Sequence, residues 1–217
     1  MNNNLTELVI VLDKSGSMTS CATEMEQALV DLVKEQREKE GECLVTFVRF
    51  SGQADTVFER KPIAQVEDQD LKLEPRGSTA LNDALGNTIN LVGQSLAALD
   101  EAERPGLVIV VTVTDGGENA SIEYTSEQVN KMVKTQTDDY SWQFVYLGAN
   151  QDAFAVGNTY GFSESNIANY NVAKSAIMGR SVSNLVGSMR HMVASGCSVQ
   201  EVAASCSFSD EDRQSMV

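Results

Sequence analysis

Three short stretches hold side chains whose type and spacing could do chemistry together: Asp13-Lys14-Ser15-Gly16-Ser17, Gly77-Ser78-Thr79-Ala80-Leu81 and Asp115-Gly116-Gly117-Glu118-Asn119. Carboxylates and hydroxyls dominate them, and no thiolate or imidazole stands among them. An oxygen-only donor set suits Mg²⁺, Mn²⁺ or Ca²⁺ and not Zn²⁺. Ser15 and Ser17 sit two residues apart, so an extended loop points both hydroxyls to one side, and Gly16 permits the tight bend between them. Thr79 would add a third hydroxyl from a different loop. Asp13 and Asp115 would supply the negative charge that neutral hydroxyls lack, as direct ligands or through metal-bound water. Hydroxyl-rich ligation with only two acids leans toward the smaller ions, Mg²⁺ or Mn²⁺, with Ca²⁺ the lesser candidate, and Mg²⁺ keeps waters readily, leaving a position for a ligand.

The elements that must position these loops can be read from the pattern of apolar residues. Leu8–Leu12, Leu107–Val113 and Phe144–Leu147 are short runs rich in β-branched residues, as expected of strands buried on both faces of a parallel sheet. Leu44–Phe50 predicts a further strand, and Ser51–Ala54 a turn into Asp55–Arg60, which would lie beside it as a hairpin edge. Met25, Ala28, Leu29, Leu32 and Val33 mark one helix, ending in a solvated charged run over Lys34–Glu40. Leu81, Ala84, Leu85, Thr88, Val92, Leu96 and Leu99 mark a second, stopped near Arg104-Pro105-Gly106. Asp152–Thr159 reads as a short helix, Asn166–Val172 as a last strand, and Met178, Val182, Leu185, Val186, Met189 and Val193 as a final amphipathic helix. The expected fold is α/β: a doubly wound, Rossmann-like, mostly parallel sheet with one antiparallel edge hairpin and helices on both faces. In such a sheet ligands collect beyond the carboxyl ends of the strands, where strand order reverses. All three chemical stretches fall at such places. The domain is expected over residues 1–195, and residues 196–217 as an acidic tail whose Asp210, Glu211 or Asp212 either stays solvated or fills a metal position as a placeholder.

Asp13-x-Ser15-x-Ser17, then Thr79, then Asp115 in a Thr-Asp-Gly setting resemble the metal-ion-dependent adhesion site of the von Willebrand factor type A (VWA) domain family, in order and in interval. The resemblance extends from about Leu5 to at least Leu147. It implies the family's doubly wound fold, with Ser15, Ser17 and Thr79 touching the metal and Asp13 and Asp115 acting largely through water. It also implies a partner protein that offers a Glu or Asp to the vacant metal position, and it suggests an adaptor or assembly role, in some cases beside an ATPase-containing complex. Glu118 would accept hydrogen bonds from the groups that surround the metal, or would be a solvated loop acid. Lys14 would orient a ligand carboxylate or face solvent. His191 reads as a surface or boundary residue of the last helix, Cys21 as packed under the first helix and Trp142 as core.

Composition narrows the classes of function. With 217 residues and a net charge of −15, the chain would be repelled by a nucleic-acid backbone or an anionic membrane, and no run of Lys and Arg offsets this. A partner with a basic surface and one acidic residue for the metal is favoured instead. No stretch approaches the ~20 apolar residues of a membrane span, the start lacks signal-peptide character, and the 4 cysteines show no C-x-x-C spacing; free thiols in the cytoplasm are expected. An alternative reading is a metal-dependent hydrolase acting on phosphoesters. The chain has no paired-Asp nucleophile motif, phosphate loop or G-x-S-x-G elbow, and a catalytic triad would need His191, so a non-enzymatic module is the expectation.

Overall fold

The computed structural model describes residues 1–217. Six strands form one sheet: β1 (Asn2–Asp13), β2 (Glu42–Phe50), β3 (Ala54–Pro62), β4 (Pro105–Thr114), β5 (Gln143–Gly148) and β6 (Ile167–Asn169), in the order β3-β2-β1-β4-β5-β6. Every neighbouring pair is parallel except β2 and β3, which form the antiparallel edge hairpin. From β1 the chain first winds outward through β2 and β3, then returns to build β4, β5 and β6 on the other side. The reversal of strand order therefore lies between the ends of β1 and β4.

Alternation along the strands separates two apolar layers. Leu8, Ile10 and Leu12 of β1 point to the layer covered by α1 (Ala22–Arg37) and α5 (Ser175–Ala194); Val9 and Val11 point to that covered by α2 (Leu81–Ala97), α3 (Ser126–Tyr140) and α4 (Ala153–Thr159). With both faces covered, the central strands need apolar residues at successive positions, and this is why they read as unbroken runs. Trp142 lies in the second layer and Cys21 in the first, both buried, and all four cysteines are free thiols.

Several sequence expectations need correction. Pro105 and Gly106 open β4 and do not stop α2, which ends at Ala97. The helix α3 is absent from the apolar pattern because only Val129 and Val133 of its residues are buried. Its start is local chemistry: the Gln128 backbone N–H donates to Thr125 Oγ1 at 3.3 Å, and the Thr125 N–H donates to Gln128 Oε1 at 2.8 Å. Within the charged run at the end of α1, Gln36 is buried and donates to the Ser183 carbonyl at 2.7 Å. Arg190 is buried beside it and donates to the Gln36 carbonyl at 2.7 Å.

The segment 196–217, expected as an acidic tail, packs against the domain. It forms α6 (Val199–Ser205) and α7 (Asp210–Met216), and Val202, Cys206, Phe208 and Met216 are buried in the α1/α5 layer. These four apolar side chains, spaced too irregularly to read as one helix, anchor it. Asp212 caps α7 by accepting the Ser209 N–H at 3.0 Å, so it is no free placeholder for a metal position. No helix is long and apolar enough to cross a membrane.

Candidate metal centre

The first loop turns because Asp13 makes it turn. Its Oδ1 accepts the Ser15 N–H at 2.7 Å, bending the chain off the end of β1, and its Oδ2 accepts the Thr114 hydroxyl at 2.6 Å across the β1/β4 boundary. Gly16 follows with its N–H on the Gly77 carbonyl at 3.0 Å, which seats the second loop against the first. Gly77 has φ +79, a left-handed conformation that a side chain would strain. Two further backbone bonds hold that loop: Arg76 N–H to the Lys14 carbonyl and Ala80 N–H to the Ser51 carbonyl, both 2.7 Å.

Thr79 is tied to the third loop in both directions. Its N–H donates to Asn119 Oδ1 at 3.0 Å, and the Asn119 N–H donates to the Thr79 carbonyl at 2.9 Å. Glu118 pins the same loop. Its carboxylate accepts the N–H groups of Asn82, Ala120 and Ser121 at 2.8 Å each and the Ser121 hydroxyl at 2.6 Å. Partial burial raises the Glu118 pKa, but these bonds outweigh it and hold the acid below its usual range. Both Glu118 oxygens are thus engaged within the third loop and at the start of α2, where one satisfies a first-turn N–H. Asp83 does similar work from the helix side, accepting the N–H groups of Ile122, Glu123 and Tyr124 at 2.8, 2.9 and 2.9 Å.

Sequence reasoning missed Asn119, Asp83 and Thr114. Their signal was weak because each acts on backbone groups or on another side chain across the fold. Lys14 was misjudged: it is buried and pairs with Asp55 at 3.0 Å, so it neither faces solvent nor reaches over the metal position. Asp55, held by hydrogen bonds from Lys14 and Arg49, has its pKa lowered. His191 is exposed on the last turn of α5.

The five candidate residues meet at one rim. Ser15 Oγ and Ser17 Oγ are 3.0 Å apart, and the Ser17 hydroxyl donates to Asp115 Oδ1 at 2.6 Å. A Cβ placed on Gly116 would lie 3.6 Å from Thr79 Oγ1 and 3.9 Å from Ser17 Oγ, so this glycine lines the same hollow. Asp13, Ser15, Thr79 and Asp115 are buried while Ser17 is exposed, which opens the hollow to solvent on the Ser17 side.

The donor set fits a small divalent cation. In an octahedron with ~2.1 Å metal–oxygen bonds, adjacent oxygens lie about 3.0 Å apart, the separation already present between Ser15 Oγ and Ser17 Oγ. Neither Asp13 nor Asp115 forms a salt bridge; all eight ion pairs of the chain lie elsewhere. Burial raises the Asp13 pKa, the Thr114 and Ser15 hydrogen bonds lower it, and the charge of Asp115 raises it, with a net rise. The same field, with burial first, pushes the Cys21 thiol up to about 11. A divalent cation would relieve this repulsion. No group of three or more His, Cys, Asp or Glu side chains is placed to hold a metal.

A doubly wound sheet with this rim at its switch point defines a class of ligand-binding α/β domains. Residues 7–176 match the von Willebrand factor type A domain, and the chain belongs to that family. No match is found among curated protein sequences. Among solved structures, the chain is similar to proximal thread matrix protein 1 from the mussel byssus with a zinc-occupied MIDAS motif, at TM-score 0.63 and 18% identity over 84% of this chain and 46% of that one. It is also similar to the D319A mutant of the PilB minor pilin from Streptococcus sanguinis, at TM-score 0.61 and 12% identity over 91% of this chain and 64% of that one. A third similar structure is the ArnB paralog VWA2 from Sulfolobus acidocaldarius, at TM-score 0.52 and 17% identity over 85% and 45%. The chain therefore spans about half to two thirds of the length of these proteins, and at these identities the likeness shows the fold.

Proposed function

We propose that this chain is a divalent-metal-dependent protein-binding module in which Asp13, Ser15, Ser17, Thr79 and Asp115 hold Mg²⁺ or Mn²⁺. The observation that carries the reading is the convergence of three hydroxyls and two acids at one rim, with no cationic side chain paired to either acid. When bound, the cation supplies a positive charge on which a Glu or Asp of a partner protein can seat. Ser15, Ser17 and Thr79 would present their oxygens to it, Asp13 and Asp115 would balance its charge, and Thr114 and Asn119 would keep these groups in place. Ser17, on the exposed side, marks the direction of approach. The net charge of −15 favours a partner whose surrounding surface is basic.

An adaptor or assembly role follows from such a site, and an ATPase-containing complex is one setting for it. The free thiols fit a reducing compartment such as the cytoplasm. Zinc in the byssus protein is matched here against an oxygen-only donor set, which favours the harder ions. A phosphoesterase reading has no observation in its favour.

Calorimetric titration of Mg²⁺ and Mn²⁺ into metal-stripped protein tests the site, with Zn²⁺ as competitor and Asp13→Ala and Thr79→Ala as controls. One-site binding lost in both variants is the expected outcome; no binding in the wild type overturns the reading. The partner half is tested by co-purification with and without EDTA, where capture indifferent to EDTA would sink it.

A further inference from the structure

Tyr170 follows β6 and is buried at 3% exposure, yet its hydroxyl has no hydrogen-bond partner in the protein. A buried hydroxyl left unpaired costs about 1–3 kcal/mol, so its surroundings need an explanation. The register of the sheet supplies one. Thr114, Gly148 and Asn169 stand side by side on β4, β5 and β6. The next residues, Asp115, Ala149 and Tyr170, therefore leave the sheet in a row, and the ladder continues with Ala149 N–H to the Thr114 carbonyl at 2.9 Å and Tyr170 N–H to the Gly148 carbonyl at 3.0 Å.

Tyr170 and Ala149 share one apolar cluster with Cys21 and Met18, which lie under the first loop. Two strand spacings, roughly 9.6 Å, separate the backbone of Tyr170 from that of Asp115. In the row, Ala149, with a side chain of one methyl group, stands between them. Burial first, and the negative charges of Asp115 and Asp13 after it, keep the proton of the Tyr170 hydroxyl firmly bound. A donor without an acceptor, on a side chain that leaves the sheet in the same row as Asp115, is what a bridging water would complete.

We propose that Tyr170 is a positioning residue of the metal site: its hydroxyl donates to Asp115 by way of one water and holds that carboxylate in place when the cation is bound. The proposal rests on the metal reading above and adds a residue to it from outside the three loops. Groups that orient metal ligands typically change affinity 10- to 100-fold when removed. The contribution of one water-mediated bond belongs at the lower end of that range.

The test is Tyr170→Phe in the full chain, measured by Mn²⁺ calorimetry and by thermal unfolding with and without Mg²⁺. Expected are about 10-fold weaker Mn²⁺ binding, a metal-free melting temperature equal to or above that of the wild type, and a smaller rise on adding Mg²⁺. A merely structural tyrosine would move the metal-free melting temperature and leave the affinity within twofold, and that result overturns the proposal while the metal reading stands. A wild type that binds no metal overturns both. Independently of any variant's stability, the Cζ resonances of the 5 tyrosines in ¹³C-tyrosine-labelled wild type give a second readout. A buried tyrosine resonance that shifts on Mg²⁺ saturation supports the bridge, and unshifted spectra in a protein that binds Mg²⁺ overturn it.

Discussion

Strand β1 buries two carboxylates, Glu7 in its middle and Asp13 at its end, and the fold treats them differently. Glu7 has a cation of the chain's own. Arg60 Nη1 lies 2.9 Å from its Oε2, and the Thr46 hydroxyl donates to Oε1 at 2.9 Å. Arg60 reaches inward because the β2/β3 register shifts there and its φ is 48, a left-handed bulge that re-aims the side chain. Asp13 has hydrogen bonds alone, and its nearest acid, Asp115, adds repulsion. Even with Arg60, burial pushes Glu7 to about 7. One guanidinium only partly offsets a buried acid in this sheet, and the rim holds two acids with no cation of the chain paired to either, the arrangement on which the proposed metal site rests.

One effect that could break this contrast is expected from Arg60→Ala. It leaves Glu7 buried without its partner and should lower stability at pH 8 by the lost packing plus up to ~1.4 kcal/mol for the proton that Glu7 must then take up, one pH unit above its pKa of about 7, and by less at pH 5, where Glu7 already keeps its proton. Urea unfolding at both pH values measures it; equal losses would show that Arg60 contributes only packing. Next comes Glu7 itself. Its folded pKa lies above that of the unfolded chain, so its favourable contribution is complete below about 4.5 and disappears as pH rises through about 7. Glu7→Gln should remove up to about 3 kcal/mol of that decline, seen as a flatter stability profile between those values.

The rim should behave in the opposite sense, gaining from an added ion. At a Mg²⁺ concentration 100-fold above Kd, the wild type should gain ~2.7 kcal/mol of stability, and Asp13→Ala should gain none. Thermal melts with and without Mg²⁺ decide this, and a gain retained in the variant would place the ion elsewhere. The smallest effect sharpens the comparison from a distance. Thr125→Ala removes the cap of α3 and should cost about 1 kcal/mol without changing the Mg²⁺ response.

Legibility of the molecule followed how many residues each feature needs. Two alternating layers wrote themselves into β1, β4 and β5 as apolar runs, so these strands and their place in a mostly parallel sheet were readable. Helix α3 was not, because two buried valines make too thin a stripe and the capping box at Thr125 carries the start. The last 22 residues looked like an acidic tail because Asp210, Glu211 and Asp212 dominate the local composition, while Phe208 and Met216, which anchor it, are single apolar residues far apart. Lys14 misled for a related reason. A lysine beside a cluster of oxygens suggests a ligand contact until Asp55, from β3, is seen to take it.

The sequence by itself determined the chemistry available at the rim: which oxygens exist, on which loops, and with what net charge, since side-chain identity and spacing along one loop are local properties. Convergence was decided only in three dimensions. Asp13 meets Thr114, Ser17 meets Asp115, Thr79 meets Asn119, and Tyr170 stands in line with Asp115, each pair joined by strand order and register and separated by tens of residues. Hydrogen bonds and ion pairs act over a few ångströms, so their partners become definite only once packing of both faces of the sheet has set the positions of the strand ends.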